Sequence, residues 1–400
     1  MGNSAVIIVS TGMVSLPPNR GGGIERSIWN ILEMFNLIND APRVIVVSRV
    51  NNEYAHANLP KSIQIINSHS PIDRFPLPPF LSSIAHIIGG VTSTIATVLY
   101  LRKISKNNSK FIIHVHEEIS GFLLSHILKN IPIIQTIHNP PPEWGIRKTG
   151  LEGALRKIGA FLTFSLTAKK AKLILAQSEF VKSYLNSIRR ISPAKIMLYY
   201  PPIDTETFRP REEGKNINSG TAFNLLFVGR LERRKNVELL LHLMRKLPKD
   251  INLTIVGSGP LYNEFNKFVR DNELGRNVTI TGRVDQDILV SYYQDANCFI
   301  LPSSLELNPQ VITEAASCGL PTLIPRLEMY HHLLNEEFCL FYDYNNIEDL
   351  ASKVMELRFD KELREKMSIS GRKYALNSVS FQVSATLLST IYSRMLDNVI

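Results

Sequence analysis

The stretch CFILPSSLELNPQVITEAASCGLPTLIP, residues 298–325, carries the clearest sign of the fold. It begins with a short apolar run, continues through a polar loop and a helical pattern, and ends in a second apolar run. Asn308 is a good N-cap and Pro309 suits the first helical position, while Gly319 and Pro321 end the helix. Two buried runs joined by one helix are typical of a β-α-β unit with parallel strands.

The same alternation of apolar runs and helical patterns extends over most of the 400-residue chain. Nearly continuous β-branched runs suit strands that are covered on both faces. The predicted strands are 5–11, 43–49, 63–68, 111–116, 132–138 and 173–178, and then 224–230, 251–259, 278–284, 298–302 and 321–325. A polar linker composition at 205–224 separates the two sets. We predict an α/β protein with two doubly wound, Rossmann-like domains facing across a cleft, and ligands beyond the carboxyl ends of the strands.

Composition and charge restrict the class of protein. The three cysteines show no metal-binding spacing, and the N-terminus shows no signal-peptide pattern, so we expect a cytoplasmic protein. Of the formal net charge of +9, residues 145–200 contribute eleven Lys or Arg against two acidic residues. Such a basic surface favours an anionic partner, which is a membrane, a nucleic acid or a phosphorylated substrate, but a solvated helical face also explains it.

Residues 79–101 form an apolar stretch whose only ionisable group is His86. The length suffices for a membrane span, but predicted strands of one sheet lie on both sides of the stretch. A span would separate those strands across the bilayer. We therefore favour a core helix or a helix that touches the membrane.

Two glutamates flank the start of the helix in the opening stretch. Glu306 lies in the loop before it and Glu314 lies inside it, so both are candidates for accepting hydrogen bonds from sugar hydroxyls. The backbone N–H groups of Gln310 and Val311 lack intrahelical partners and favour an anion such as a phosphate. The alternative is that both glutamates are ordinary surface residues.

Other polar and glycine-containing motifs follow predicted strands. VGRLERRKN at 228–236 places Arg230 and Lys235 across a turn, a pair that suits a diphosphate. VGSGP at 256–260 permits close backbone approach of a ligand. TGRV at 281–284 ends a third strand, and RGGGIER at 20–26 opens a helix, although a flexible turn also explains the latter.

Two histidines end predicted strands of the first domain. His116 follows IIHV and His138 follows QTI, so both would lie at the edge of the sheet where ligands gather. A buried histidine with a purely structural role is the alternative for each. His114, two residues before His116, is interpreted as structural.

Taken together and in order, these motifs resemble the family 4 glycosyltransferases of the GT-B fold. The resemblance covers nearly the whole chain and is strongest over 224–326. The family's EX7E motif matches Glu306 and Glu314, and its G-R-L-x3-K motif matches 229–235. The further matches are GxGP at 257–260, the glycine loop with Ile-Glu-Arg at 22–26, H-x-H-E at 114–117, and YYPPIDTETFRP at 199–210.

The resemblance implies a retaining enzyme that transfers a sugar from a nucleotide-diphosphate sugar and needs no metal or other cofactor. Domain 1–205 would bind the acceptor, 206–375 the nucleotide sugar, and a helix at 376–400 would cross back to the first domain. The implied catalytic residues are His116, Arg230, Lys235 and Glu306. The implied donor-binding residues are Gly22, Gly23, Gly229, Gly257, Gly259, Arg283, Val284, Asn308, Pro309, Gln310, Val311 and Glu314. His138 is a further candidate for contact with the acceptor or sugar.

The chain departs from the family pattern at the expected donor-sugar contacts. Glu306-Leu-Asn308-Pro309 stands where E-x-F-G is commoner, so the resemblance implies no particular donor sugar. We expect a glycan or lipid-linked acceptor, peripheral attachment to an anionic membrane surface through the basic segment, and no nucleic-acid partner. The alternatives are a nucleotide-sugar epimerase of the same fold and a non-catalytic nucleotide-sugar-binding subunit.

Overall fold

The computed structural model describes residues 5–10, 16, 23–38, 42–48, 59, 62–68, 82–104, 110–138, 161–211, 222–306, 309–333 and 337–397. The chain divides into two compact units. The N-terminal unit comprises Met1–Pro202 with Phe381–Ile400, and the C-terminal unit comprises Ile203–Ser380. The expected boundaries lay after residues 205 and 375, so each structural boundary lies a few residues away from the expected one.

All paired strands are parallel, and they form one sheet in each unit. The sheet of the N-terminal unit has the order β3-β2-β1-β4-β5-β6-β7, and that of the C-terminal unit has the order β10-β9-β8-β11-β12-β13. The strands are β1 (Ala5–Val9), β2 (Val44–Ser48), β3 (Ile63–Asn67), β4 (Phe111–Val115), β5 (Ile133–Ile137), β6 (Leu173–Ala176), β7 (Ile196–Leu198), β8 (Phe223–Val228), β9 (Ile251–Val256), β10 (Val278–Gly282), β11 (Cys298–Ile300), β12 (Thr322–Pro325) and β13 (Cys339–Tyr342).

Helices connect the strands and cover the sheets. Those within the described ranges are α1 (Gly23–Met34), α2 (Ser82–Ile104), α3 (Glu118–Ile127), α4 (161–170), α5 (Glu179–Ser187), α6 (Val237–Met244), α7 (Tyr262–Asp271), α8 (Gln286–Asp295), α9 (Gln310–Ser317), α10 (Ile347–Phe359), α11 (Lys361–Tyr374) and α12 (Phe381–Leu396).

The sheet of the N-terminal unit is buried on both faces because successive side chains of a strand point to opposite sides. Val6 and Ile8 of β1 pack in one core with α1 and α12, whereas Ile7 packs in a second core with α2 and α3. A third core joins α4 and α5 to β6. The final helix α12 thus belongs to the N-terminal unit.

The sheet of the C-terminal unit is wound from its central strand β8 in both directions. The chain passes from β8 to β9 and β10 on one side, and then continues with β11 to β13 on the other. Between β8 and β11 lies the point where the direction reverses, which is where open α/β sheets bind ligands. Helix α11 packs on α9, and α10 packs on α6.

The predicted α/β fold with two parallel sheets is confirmed, with three differences in detail. Strands β7 and β13 were not predicted; they are short, partly buried edge strands in the apolar runs at 196–200 and 338–342. Helix α9 begins at Gln310, with Pro309 in the cap position at φ −78° and ψ 93°. Pro309 was expected at the first helical position, but its extended ψ angle excludes it from the helix.

Helix α2 contains most of the apolar stretch that was considered as a membrane span. It packs against β2 and α3, and its residues Ala96 and Val98 contribute to the second core. Within the part of the chain that the structure describes, no helix combines the length and apolar character needed to cross a bilayer.

Candidate active site

The carboxyl ends of four adjacent strands meet at one edge of the sheet in the C-terminal unit. Gly229 follows β8, Gly257 follows β9, Gly282 ends β10, and the segment 301–306 follows β11. Because the strands are parallel and neighbouring, the motifs that sequence analysis selected lie on loops of the same edge. The structure therefore brings the separate motifs of this unit together.

A buried ion pair lies where the direction of strand order reverses. Lys235 ends a 3₁₀ turn over Arg233–Lys235, between β8 and α6, and Glu306 lies in the loop after β11. The Lys235 Nζ donates a hydrogen bond to Glu306 Oε1. Lys235 is 9% exposed and Glu306 7%, so the pair lies in a low-dielectric environment where each charge needs the other.

Arg234 holds the Glu306 loop in place, a role that sequence analysis missed. Its Nη1 donates to the backbone oxygen of Leu305 at 2.9 Å and lies 3.6 Å from Glu306 Oε2. Its Nη2 donates to Glu232 Oε1 at 2.8 Å. Ser304 N also donates to the Arg234 backbone oxygen at 3.0 Å, so the two loops are joined through backbone and side chain.

Arg230 differs from Lys235 in its surroundings. Its side chain is 65% exposed, and its Nε lies 3.8 Å from Glu232 Oε2, a weak contact in water. The guanidinium is therefore available to turn toward an incoming anion at little energetic cost. The predicted Arg230 and Lys235 pair thus consists of one exposed cation and one buried cation that is paired with Glu306.

The glycines of this edge permit close backbone packing. Gly257 has φ +143°, and a Cβ atom added there would lie 1.9 Å from the backbone oxygen of Gly229. A Cβ atom on Gly259 would lie 2.4 Å from the Leu231 backbone oxygen. A Cβ atom on Gly229 would lie 3.8 Å from Lys235 Cε, so the lysine side chain passes close to this turn.

The N-terminus of α9 contributes backbone donors and buried polar atoms. No side chain of the residues that the structure describes caps this terminus. Both Ser303 Oγ and Gln310 Nε2 are buried, with no hydrogen-bond partner among the described residues. Buried polar atoms without partners are costly, so their presence indicates a ligand or water site.

Glu314, one turn into α9, is held by an aromatic hydroxyl from another helix. Tyr293 of α8 donates a hydrogen bond to Glu314 Oε2 at 2.8 Å. Burial raises the pKa of Tyr293, and the Glu314 charge raises it further, so the hydroxyl keeps its proton and donates. Glu314 is half-buried and hydrogen-bonded to a buried tyrosine, which argues against an ordinary surface glutamate.

The remaining predicted donor-binding residues are distributed as follows. Arg283 and Val284 lie between β10 and α8, and Arg283 is exposed. Val311 is in the first turn of α9, and Gly23 is the first residue of α1. Gly22 and Asn308 lie outside the described residues.

Three histidines of the N-terminal unit, His114, His116 and His138, form one buried cluster. His116 Nδ1 lies 3.0 Å from His138 Nε2, and the His114 and His116 rings lie 4.3 Å apart. Both nitrogens of His114 are used inside the protein, Nδ1 with the Tyr392 hydroxyl and Nε2 with Thr136 Oγ1, each at 2.6 Å. His114 is structural, as predicted.

Burial keeps the three histidines neutral. It lowers the pKa of His114 to about 3 and that of His138 to about 4, with His138 adding a smaller effect on His114. The pKa of His116 is also lowered well below its ordinary value, first by burial and then by its two histidine neighbours. Across the described ranges, no group of three or more His, Cys, Asp or Glu side chains is arranged to hold a metal ion.

Two α/β units, each with a parallel sheet and polar loops where its strand order reverses, are typical of the GT-B fold. The sequence matches the family model described as Glycosyltransferase Family 4 over residues 21–207. It matches the model described as Glycosyl transferases group 1 over residues 208–374. The chain belongs to this family of glycosyltransferases, and it is an enzyme of that class.

Known proteins resemble the chain at low identity. A sulfoquinovosyl transferase of Arabidopsis thaliana is 25% identical over 263 residues, which is 63% of this chain and 50% of the plant protein. The UDP-Gal:alpha-D-GlcNAc-diphosphoundecaprenol alpha-1,3-galactosyltransferase of Escherichia coli is 24% identical over 323 residues, 76% of this chain and 80% of that protein. Sucrose-phosphate synthase from Thermosynechococcus elongatus matches with a TM-score of 0.79 at 20% identity, over 99% of this chain and 100% of that chain. The chain thus spans half the length of the plant relative, and the structural match shows the fold.

Proposed function

We propose that the chain transfers a sugar, with retention of anomeric configuration, from a nucleotide-diphosphate sugar to a lipid-linked or membrane-proximal glycan. The observation that carries this proposal is the buried Lys235–Glu306 pair at the reversal point of the C-terminal sheet. It places a cation suited to a diphosphate directly beside a carboxylate suited to sugar hydroxyls. The Escherichia coli relative is named for a UDP-linked donor and an undecaprenyl diphosphate-linked acceptor, which supports both parts of the proposal.

This site stabilises the negative charge of the diphosphate as it leaves the sugar. Lys235 provides a fixed cation, and the exposed Arg230 provides a second one that can close over the phosphates. The backbone N–H groups of Gln310 and Val311 at the start of α9 add neutral donors. Charge that develops as a glycosidic bond breaks is best stabilised by such preplaced groups, and we assign no step to a metal ion.

The two glutamates then orient the hydroxyls of the donor. Glu306 is held by Lys235 and the Arg234 loop, so its carboxylate presents a fixed acceptor to the transferred sugar. Tyr293 fixes Glu314 for the ribose of the nucleotide. Retention follows if the acceptor attacks from the face that the diphosphate leaves, with the departing phosphate taking the acceptor's proton.

Nucleotide binding tests the donor half of this proposal. UDP, GDP and ADP are titrated separately while the thermal midpoint of the full chain is followed, because a ligand that binds only the folded state raises it. One nucleotide should raise the midpoint of the unmodified protein, and the Lys235→Met variant should lose most of this shift. Lys267→Met is the matched control, since the Lys267 side chain is 71% exposed on α7. No shift with any of the three, or an undiminished shift in Lys235→Met, would contradict the proposal.

The acceptor half depends on a surface of the N-terminal unit that carries apolar and basic side chains. Apolar side chains on α2 and α4 are strongly exposed, with Ile95 at 52%, Leu99 at 59% and Leu162 at 47%. Arg102 and Lys103 lie in the last turn of α2, and Lys169 and Lys170 end α4. Helices that carry both exposed apolar residues and cations suit the headgroup region of an anionic membrane. We propose that this surface attaches the enzyme to the cytoplasmic face of a membrane near its acceptor.

Vesicle sedimentation tests the membrane proposal. The protein is mixed with phosphatidylcholine vesicles, with and without phosphatidylglycerol, at low and at high salt. Binding should require the anionic lipid, weaken at high salt because salt screens the charges, and fall in the double variant Ile95→Ser with Leu99→Ser. Ile369→Ser is the control, since Ile369 is 70% exposed but belongs to the C-terminal unit. Negligible sedimentation under all conditions would remove the proposal.

A further inference from the structure

A second concave polar site lies in the C-terminal unit, away from the candidate active site. It is a cavity of about 330 Å³, lined by β8, β9, β10 and the end of α8. Its lining residues lie in or just before the first halves of the strands, whereas the motifs of the candidate active site follow the strand ends. Asn224 in the cavity and Gly229 at the active-site edge are five positions apart along β8, about 16 Å at the usual rise of a strand. The cavity is therefore a separate site.

The floor of the cavity is a polar sheet face. Strands that helices cover on both sides are usually apolar throughout, but β9 alternates Asn252 and Thr254 with buried isoleucine and leucine side chains. Asn224 of β8 pairs with Asn252, and Thr279 of β10 pairs with Thr254, so the polar face continues onto both neighbouring strands. Asn252 and Thr254 are half-buried and Thr279 is exposed. This face is thus accessible to a ligand.

The two asparagine amides of the floor are held in place. The Asn252 Nδ2 donates to Asn224 Oδ1 at 3.0 Å, and the Asn224 Nδ2 lies 3.5 Å from the backbone oxygen of Asp295. The Asn224 backbone N–H donates to Asn297 Oδ1 at 2.7 Å. Asn252 uses one of its two polar amide atoms in this arrangement. The other has no partner among the described residues, so it remains for a ligand.

Three hydroxyl groups line the same cavity and make no hydrogen bond with any described residue. They belong to Thr254, Thr279 and Tyr292, the last of which is in the final turn of α8. A hydroxyl both donates and accepts, and an amide offers one or the other at each polar atom. The cavity therefore matches a ligand that presents several groups of mixed donor and acceptor character.

The charges around the cavity favour a neutral ligand. Asp295 is compensated by Arg211, whose Nη2 lies 2.6 Å from Asp295 Oδ1. Helix α8 ends at Asp295, so the negative end of its dipole lies at the cavity and disfavours an anion. Arg276 is exposed at the rim and has no ion-pair partner among the described residues. A single exposed cation opposite a helix C-terminus does not form a phosphate site.

We propose that this cavity is a non-catalytic binding site for a neutral saccharide, with the side chains of Asn252, Thr254, Thr279 and Tyr292 as its hydrogen-bonding groups. Sugar hydroxyls donate and accept as these groups do, whereas an apolar ligand would leave them unpaired. The volume lies at the lower end of the range for small-molecule sites, which suits a mono- or disaccharide unit. The exposed Thr279 places one side of the cavity in solvent, so a longer glycan can continue beyond it.

A saccharide site outside the active site would hold the enzyme on a glycan between transfer events. Binding at one site raises the effective concentration of the same chain at the other. That the bound glycan is the acceptor or product of the enzyme rests on the proposed function. The binding of a saccharide at this cavity does not.

Saturation-transfer NMR of the unmodified full chain with maltose, lactose and chitobiose, each added separately, tests the site. At least one disaccharide should bind, with a Kd of about 1 mM, as expected from a few exposed hydrogen bonds. The double variant Thr254→Val with Thr279→Val keeps the shape of both side chains and removes their hydroxyls, so it should weaken binding about tenfold or more. Thr390→Val makes the same change at an exposed residue of α12 and should leave the Kd unchanged.

Two further variants locate the bound saccharide. Tyr292→Phe removes a single hydroxyl and should weaken binding about threefold to tenfold, which provides a second readout if thermal melting shows that the double variant is destabilised. Glu306→Gln alters the candidate active site and should bind the disaccharide as the unmodified protein does. Loss of binding in Glu306→Gln with full binding in both cavity variants would place the saccharide in the candidate active site and overturn the proposal.

Two other results would also overturn the proposal. One is the absence of binding by all three disaccharides. The other is displacement of the bound disaccharide by an equal concentration of inorganic phosphate, which would show an anion site. The experiment uses no nucleotide sugar and measures no transfer, so its outcome is independent of the proposed function.

Discussion

Lys235 and Glu306 are 71 positions apart in sequence and become one chemical unit in the fold. The sequence predicted both residues for the site from their positions after strands. It did not predict that they pair, nor that Arg234 and Tyr293 hold the two glutamates. Those contacts depend on where loops and helices pack in three dimensions, and local residue patterns do not contain that information.

The pairing predicts an unusual effect of Glu306→Gln. The amide keeps the shape of the side chain but removes the negative charge that a diphosphate must approach, so free nucleoside diphosphate should bind about tenfold more tightly. Sugar transfer should fall by about tenfold to 100-fold, since an amide is a weaker acceptor for a sugar hydroxyl than a carboxylate. Calorimetric titration with the preferred nucleotide and an initial-rate assay measure the two effects. Equal or weaker nucleotide binding in Glu306→Gln would show that the Glu306 charge does not weaken the binding of the diphosphate.

At the scale of elements, most strands were predictable from their apolar runs, including the partly exposed edge strands β3 and β10. The strands that were not predicted, β7 and β13, lie in short apolar runs, and such a run alone does not distinguish a strand from a buried helical segment. The start of α9 was misplaced by one residue because Pro309 suits both the cap and the first helical position, and only its ψ angle decides between them.

The turn after β9 should tolerate no side chain. Gly257→Ala would place a Cβ atom 1.9 Å from the Gly229 backbone oxygen at a φ of +143°. We expect a loss of roughly 3 kcal/mol or more in the free energy of unfolding of the C-terminal unit, together with weaker nucleotide binding. Gly275→Ala is the control, because a Cβ atom there meets nothing within 4 Å. Urea unfolding of both variants measures the difference, and similar midpoints would contradict the strain described here.

At the scale of the whole molecule, the two-unit α/β architecture follows from the alternation of apolar runs and helical patterns. Which strands are adjacent does not follow from that alternation alone. The cluster of His114, His116 and His138 arises from that adjacency, since β4 and β5 pair and place the three rings side by side. The cluster also couples the stability of the N-terminal unit to pH.

Acidification should destabilise the N-terminal unit. Histidine in the unfolded chain titrates near 6.5, whereas burial lowers the pKa of His114 to about 3 and that of His138 to about 4. The folded state therefore binds fewer protons, so stability is full above pH 6.5 and falls as pH drops toward 4 and 3. Within that window, each of these histidines lowers the free energy of unfolding by about 1.4 kcal/mol for every pH unit of acidification.

Unfolding monitored by circular dichroism from pH 7.5 to 4.5 measures this dependence. His138→Gln should show a smaller slope than the unmodified protein. Equal slopes in His138→Gln and the unmodified protein would show that the buried cluster does not set the pH dependence.

The most direct test of the proposed chemistry is sugar transfer itself, followed with the preferred nucleotide sugar and a lipid-linked glycan acceptor in Arg230→Ala and Glu306→Ala. Each variant should lose about 100-fold or more of the transfer rate, because the leaving diphosphate or the donor sugar loses its stabilising group. Thermal melting of Glu306→Ala reports any loss of folding, since this change leaves the buried Lys235 charge without its partner. Arg233→Ala, an exposed arginine in the same turn, should retain the rate of the unmodified enzyme. Interconversion of the donor sugar without transfer would indicate an epimerase, and donor binding with neither reaction would indicate a binding subunit. Undiminished transfer in both Arg230→Ala and Glu306→Ala would contradict the site described here.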